Sequence, residues 1–319
     1  MKVLIIKLGA LGDVIISTAI VKQIMEHHTN DDVCLLTTPP FSELFLNFKN
    51  LHVFAFEREG ICNKIKTILW IRKYKFDRLY DLQSNDRTGF FSALSGIPYR
   101  AGNHPRYPYN KHPNSSYTGE CHSFERLNQI IESAGIQPAK ALPYLPVPDE
   151  VTNNIRRWLQ KHGLKKDKFV LLHAGSSPKH LNKRWPHFEE LALHLAKLFN
   201  VVWLGGKDDI ALNKRLSKSV GINSTNAFNI LDLVALGKNA KFAITNDSAP
   251  MHILSCSQIP VLGLFGPTYP RRTHALGQFH NVISANKDIA ENDRTFVPAD
   301  ISKISLDMVL HKLAEQKLI

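Results

Sequence analysis

Residues 241–273 read KFAITNDSAPMHILSCSQIPVLGLFGPTYPRRT, and their succession of apolar and polar blocks sets the fold. Residues 242–245 form a short apolar run of the kind found in a buried parallel strand. Asn246, Asp247 and Ser248 follow. Any of the three suits the N-cap of a helix over 249–256, with Pro250 in its first turn. A second apolar run, 260–265, closes at Gly266-Pro267. The unit is strand, helix, strand, with polar residues at the carboxyl end of the first strand, where open α/β sheets bind ligands. The free N–H groups and positive dipole end at the helix start suit a phosphate. His252, about one turn in, can face the same ligand. Because a carboxylate repels phosphate, Asp247 fits a cap or an acceptor for a sugar hydroxyl.

Working upstream, the same pattern recurs. Residues 169–173 are an apolar strand, followed by A-G-S-S, then K-H-L-N-K-R-W-P and a helix over 187–199. Ser176 and Ser177 supply hydrogen-bond donors for phosphate oxygens, and Lys183 supplies a neutralising charge. A solvated basic loop is the bland reading of that stretch. Residues 201–205 form the next strand, Gly206-Lys207-Asp208-Asp209 caps the helix after it, and Asn229 suits the N-cap of a helix over 230–236. At the start of the chain, a β-branched strand (3–6) runs into K-L-G-A-L-G-D (7–13) and a helix over 14–26. That loop is neither G-x-G-x-x-G nor a Walker A, so dinucleotide binding and ATP hydrolysis have little support. Gly9 and Gly12 let backbone approach a ligand closely, and Asp13 sits at the positive end of the helix.

Between these halves, 142–148 (L-P-Y-L-P-V-P) is a stiff linker, since its three prolines forbid regular structure. The expected organisation is two Rossmann-like domains, 1–148 and 149–319. The tail, 301–318, has helical apolar spacing, and by analogy it packs back on the first domain. Within the first half, 33–37 is a second strand broken by Pro39-Pro40, and 78–83 a third, ending in S-N-D-R. Residues 64–75, K-I-K-T-I-L-W-I-R-K-Y-K, form an amphipathic helix that either covers the sheet or docks its basic face on anionic lipid heads or an anionic acceptor. Residues 104–117 read as a long loop of a length that suggests binding. H-S-F-E-R (122–126) opens a helix to about 134.

The composition is that of a globular protein of 319 residues, with a net charge of +12 and a pI of about 9.5. The positive charge is spread out rather than gathered in a nucleic-acid arm, so phosphorylated small molecules or anionic lipid are the expected partners and nucleic acid is not. Four cysteines without C-x-x-C or zinc spacing point to a reducing compartment and no structural metal. Lys7 and Asp13 interrupt what would otherwise be a signal-peptide core, and no apolar run is long enough to span a membrane.

T-N-D-S-A-P-M-H followed by V-L-G-L-F-G-P-T-Y-P resembles the nucleotide-sugar signature of the lipopolysaccharide heptosyltransferases, glycosyltransferase family 9, with Ala249 where that family usually has Gly. K-L-G-A-L-G-D, the Y-D…Q region with Ser84 for Gly, H-S-F-E-R, and H-A-G-S-S…K-R-W-P resemble the same family in the same order. The resemblance implies a GT-B fold, two Rossmann-like domains with a cleft between them. It implies transfer of heptose from ADP-L-glycero-D-manno-heptose to the lipopolysaccharide inner core, with inversion and without a metal or other cofactor; no D-x-D occurs. Position by position, it makes Asp13 the general base. Donor contacts fall to Ser176, Ser177, Lys183, Asp247, Ser248 and His252. Lys7, Gln83, Arg87 and Arg126 fall on the acceptor side, and Asp208 or Asp209 on the ribose. Arg271 and Arg272 can help hold phosphate. The implied setting is cytoplasmic and peripheral, on the anionic inner face of a Gram-negative inner membrane. A transferase using another nucleotide sugar, or a non-catalytic nucleotide-sugar-binding relative, is the alternative.

Overall fold

A computed structural model of the chain describes residues 1–57, 60–114, 121–286 and 296–319. The chain divides into two units, Met1–Pro146 and Val147–Ile319.

The first unit has five strands: β1 (Lys2–Ile6), β2 (Asp32–Thr37), β3 (Leu51–Ala55), β4 (Arg78–Asp81) and β5 (Tyr99–Ala101). Its helices are α1 (Leu11–His27), α2 (Pro39–Ser42), α3 (Ile61–Tyr74), α4 (Asp86–Leu94) and α5 (Ser123–Ser133). The sheet order is β3-β2-β1-β4-β5 and every pairing is parallel. Val3, Leu4, Ile5 and Ile6 of β1 are fully buried, as a central strand covered on both faces requires. On one face, Ile68 and Ile71 of α3 and Phe91 of α4 pack with Leu4, Ile6, Leu36 and Leu79. α1 and α5 lie against each other elsewhere in the unit. The strand over 78–83 ends earlier than expected, at Asp81, and the S-N-D-R stretch after it leads into α4. The Asn85 side chain accepts from Thr88 N–H while Thr88 Oγ1 accepts from Asn85 N–H, a reciprocal cap that places Arg87 in the first helical turn. Within 104–117 no helix or extended strand forms up to Asn114; residues 115–117 lie outside the described residues.

The second unit has six strands: β6 (Phe169–His173), β7 (Asn200–Trp203), β8 (Ile222–Asn223), β9 (Ala243–Asn246), β10 (Val261–Phe265) and β11 (Val282–Ser284). Its helices are α6 (Asp149–Lys161), α7 (Phe188–Leu195), α8 (Ile210–Ser219), α9 (Ile230–Gly237), α10 (Ala249–Ser255), α11 (Pro270–Thr273) and α12 (Leu306–Glu315). The order is β11-β10-β9-β6-β7-β8, again parallel throughout. Alternate residues of the strands feed two cores. Val170, Leu172, Ile244, Leu262 and Leu264 pack with α7 and α12, whereas Phe169, Leu171, Ala243, Val261 and Phe265 pack with α6, α9 and α10. That period of two on a sheet covered on both sides is why these strands read as unbroken apolar runs. The tail is not one helix. Ile304 is fully buried, and its carbonyl accepts the indole N–H of Trp185 at 2.7 Å, so the chain leaves helical geometry there. Ser305 then caps α12 through Met308 N–H, and Val309 and Leu313 enter the core of this unit.

Candidate active site

In the second unit, the expected donor residues gather at the carboxyl ends of β6, β9 and β10, which are neighbours in the sheet. The Lys183 ammonium donates to Asp247 Oδ2 at 2.6 Å, and Thr268 Oγ1 donates to the same oxygen at 2.7 Å. Asp247 is buried and Lys183 is half-buried, so this is a shielded pair facing a partly open rim. It bridges two loops that lie 64 residues apart in sequence. Ser176, also buried, donates to His180 O at 2.9 Å and accepts from Arg184 Nε at 3.3 Å. Ser177 is exposed and caps the following 3-10 turn, Pro178–Lys183, by accepting from Lys179 N–H. Of the three candidate caps, Ser248 holds the N-cap position of α10 by its backbone. Its hydroxyl donates to Asn246 O at 3.2 Å and lies 3.4 Å from His173 Nδ1. His252 is buried within α10.

Two residues in this unit have roles that the motifs did not reveal. Asn246 is fully buried. Its amide donates to the carbonyls of Ala174 and Gly175 at 2.9 and 3.0 Å, and its oxygen accepts from Trp185 N–H at 3.1 Å. It therefore fastens the loop after β6 to the end of β9. The signal was present in the sequence: a polar side chain at the end of an apolar strand run must find partners when buried. Asp209 is the second. It is buried, accepts from Gly206 N–H at 3.1 Å and from Arg184 at 3.2 Å, and lies 3.6 Å from His173 Nε2. Burial works to raise its pKa, but the His173 ring, the Gly206 N–H and the Arg184 guanidinium outweigh it and leave the carboxyl below its usual range. Gly175 passes so close that a Cβ there would run into the Asp209 carboxylate. Asp209 is thus engaged within the unit, while its neighbour Asp208 is exposed.

In the first unit, the carboxyl ends of β1 and β4 carry a second constellation. Asp13 lies in the first turn of α1, half-buried, with no hydrogen bond among the described residues. Lys7 is buried and donates to Leu82 O at 3.3 Å. Burial pushes the Lys7 pKa down, while the charges of Asp13 and Asp81 act against that shift. Gln83 accepts from Leu8 N–H at 3.1 Å, which locks the first loop to the end of β4 and leaves its amide group as a donor. Asp81, the aspartate of the Y-D…Q region, is fully buried and accepts from Ser84 N–H at 2.7 Å, Gln83 N–H at 3.0 Å and Tyr109 O–H at 2.5 Å. Burial raises its pKa against those hydrogen bonds. Arg87 is half-buried in the first turn of α4. Arg126 is buried, with its guanidinium on Asn103 and on Gln129 Oε1 (2.7 Å), so it anchors the loop after β5.

Chemically, the second unit offers a cation, hydroxyls and a helix start suited to a diphosphate, and the first offers a carboxylate beside a cation. The model of a known family, glycosyltransferase family 9 (heptosyltransferase), matches residues 66–297. A lipopolysaccharide heptosyltransferase 1 from Campylobacter coli is 23% identical over 328 residues, covering 91% of each chain. Among solved structures, a family 9 glycosyl transferase from Veillonella parvula superposes with a TM-score of 0.83 at 21% identity, over 99% of this chain and 97% of that one. The E. coli ADP-heptose lipopolysaccharide heptosyltransferase II superposes with a TM-score of 0.76 at 20% identity, over 99% and 98%. These likenesses establish the fold as GT-B, two parallel-sheet α/β units.

Proposed function

We propose, from the premise that the chain belongs to glycosyltransferase family 9, the heptosyltransferases, that it moves heptose from ADP-L-glycero-D-manno-heptose to the lipopolysaccharide inner core. The observation that carries this reading is the Lys183–Asp247 pair at the ends of β6 and β9, flanked by Ser176, Ser177 and Ser248. Lys183, the hydroxyls and the N–H groups at the start of α10 bind the donor diphosphate, and Asp247 and His252 bind the sugar side. Asp208 is the acidic side chain available for the ribose, since Asp209 is engaged with Arg184 and Gly206. In the acceptor-binding unit, Lys7, Gln83 and Arg87 contact acceptor hydroxyls and acid groups, and Arg126 holds the Asn103 loop beside them.

In the reaction, the acceptor hydroxyl oxygen bonds to the anomeric carbon while its proton passes to the Asp13 carboxylate. The bond from that carbon to the β-phosphate oxygen breaks, and ADP leaves with the electron pair. Lys183 and the N–H donors offset the charge that develops on the leaving group, in place of a metal ion. One displacement with one base inverts the anomeric centre. The enzyme works on the cytoplasmic side of the inner membrane, in peripheral contact with anionic lipid. No described helix is long and apolar enough to cross a membrane.

The test is transfer to heptose-free core acceptor in the presence of chelator, with ADP-heptose compared against UDP- and GDP-sugars. The expected product gains one heptose with an inverted linkage by NMR. Preference for a UDP- or GDP-sugar, a retained linkage, or loss of activity on chelation would overturn donor, stereochemistry or metal independence respectively. Asp13→Asn is expected to lower turnover by roughly 10²–10⁴-fold while ADP binding by calorimetry stays within about twofold.

A further inference from the structure

α3 and α4 are neighbours on one face of the first sheet. The inner side of α3 is accounted for by Thr67, Ile68 and Ile71, all buried. Beside that buried row, Ile61, Ile65 and Leu69 follow at four-residue spacing, one stripe along the flank of the helix. All three are exposed, Ile61 at 73% and Leu69 at 59%. α4 repeats the pattern with exposed Phe90 and Leu94, again four apart. Tyr107, 71% exposed, donates its hydroxyl to Ala93 O at 3.1 Å and so lies over α4. Single exposed apolar residues need no explanation, but two helices side by side that each spend a whole stripe on solvent form a patch of the kind that marks an interaction surface.

The surroundings of the patch choose its partner. Lys66, Arg72 and Lys73 are exposed on α3 beside the stripe. Between residues 60 and 114 there are ten Lys or Arg and three Asp. One of those three, Asp81, is buried, and another, Asp77, accepts from Lys2 N–H at 2.7 Å. An apolar centre with a cationic rim complements an anionic lipid surface, where side chains enter the acyl boundary and cations meet headgroup phosphates. A second copy of the same face would bring like charges together. We infer that the exposed stripes of α3 and α4, with Tyr107, dock on an anionic phospholipid bilayer, Ile65, Leu69 and Phe90 inserting and Lys66, Arg72 and Lys73 meeting the phosphates. This deepens the membrane contact proposed above by assigning it to residues, and it does not depend on which sugar is transferred.

The test uses the full chain and vesicles that contain no glycolipid: phosphatidylglycerol mixed with phosphatidylcholine, against phosphatidylcholine alone. Flotation is expected to recover the protein with the anionic vesicles, less so as salt is raised. Leu69→Glu and Phe90→Glu are each expected to lower the partition coefficient by roughly tenfold or more. Lys66→Glu and Lys73→Glu are expected to lower it by about fivefold each. Turnover on a delipidated, soluble acceptor is expected to match the wild type in all four. If Leu69→Glu melts early, the two lysine variants decide alone. Equal recovery on both vesicle types, or recovery of the variants equal to wild type, would overturn the docking face. So would a dimer in sedimentation velocity that Leu69→Glu abolishes, which would assign the patch to a second copy. Absence of turnover in the wild type would strike the proposed reaction and leave the vesicle result standing.

Discussion

A single oxygen, Asp247 Oδ2, takes both the Lys183 ammonium and the Thr268 hydroxyl. The pair lets one loop carry a positive charge at the sheet edge without leaving a buried carboxylate unpaired. For the proposed donor, Lys183→Ala removes a charge-assisted bond worth about 1.5–3 kcal/mol, so the Kd for ADP by calorimetry is expected to rise roughly ten- to hundredfold. An unchanged Kd would place the diphosphate elsewhere. His274 supplies a prediction about pH. Burial, helped by the charges of His252 and His280 and opposed by its bond to Pro270 O, pushes its pKa from 6.5 down to about 4. The folded chain keeps this ring neutral while the unfolded chain protonates it. Stability from this group is therefore full above pH 6.5 and is lost as pH falls toward 4, by roughly 3 kcal/mol. The melting temperature of the wild type is expected to drop across that window more than that of His274→Asn; parallel curves would show the ring to be readily protonated in place. The sequence pointed to Lys183 and Asp247 because their motifs are distinctive, but their contact is long-range and no local pattern carries it. Arg184, one residue on in the same motif, carries no comparable signal in the sequence. Its partners, Ser176 and Asp209, come from two different strand ends.

At the scale of elements, local chemistry decided what could be read. Asn229 caps α9 through Asp232, as its place before an apolar run implies. The four residues S-N-D-R are ambiguous as sequence, because Asn and Asp favour turns and helix starts alike. Only the Thr88 reply to Asn85 separates the two. Edge strands such as β5 and β8, three and two residues long, leave no periodicity to detect. The break before α12 was hidden for another reason: the bond from Trp185 to Ile304 spans 119 residues. The loop after β6 gives a direct test of element packing. Gly175 faces the Asp209 carboxylate, which Gly206 N–H and Arg184 hold in place. Gly175→Ala is expected to destabilise the protein by about 1–3 kcal/mol, read as a lowered melting temperature, and Gly206→Ala, which meets open space, by much less. Equal effects would mean that the loop, not the carboxylate, yields.

At the scale of the molecule, Met1–Pro146 and Val147–Ile319 each hold a complete parallel sheet covered on both faces. The prolines of 142–148 made that division legible, because they interrupt every periodic pattern around them. A fragment of residues 147–319 is expected to unfold cooperatively by itself and, on the proposed reading, to bind ADP within about threefold of the full chain. A fragment that is folded but does not bind would require nucleotide contacts from the first unit. The uniform strand direction has a further outcome over evolutionary time. Every crossover returns to the same starting side, so the variable turns of a unit share one rim and the opposite rim only anchors the framework. On the proposed reading, the turns after β6, β9 and β10 can be exchanged to suit a new sugar while the strands stay intact, which uncouples selection for substrate from selection for folding.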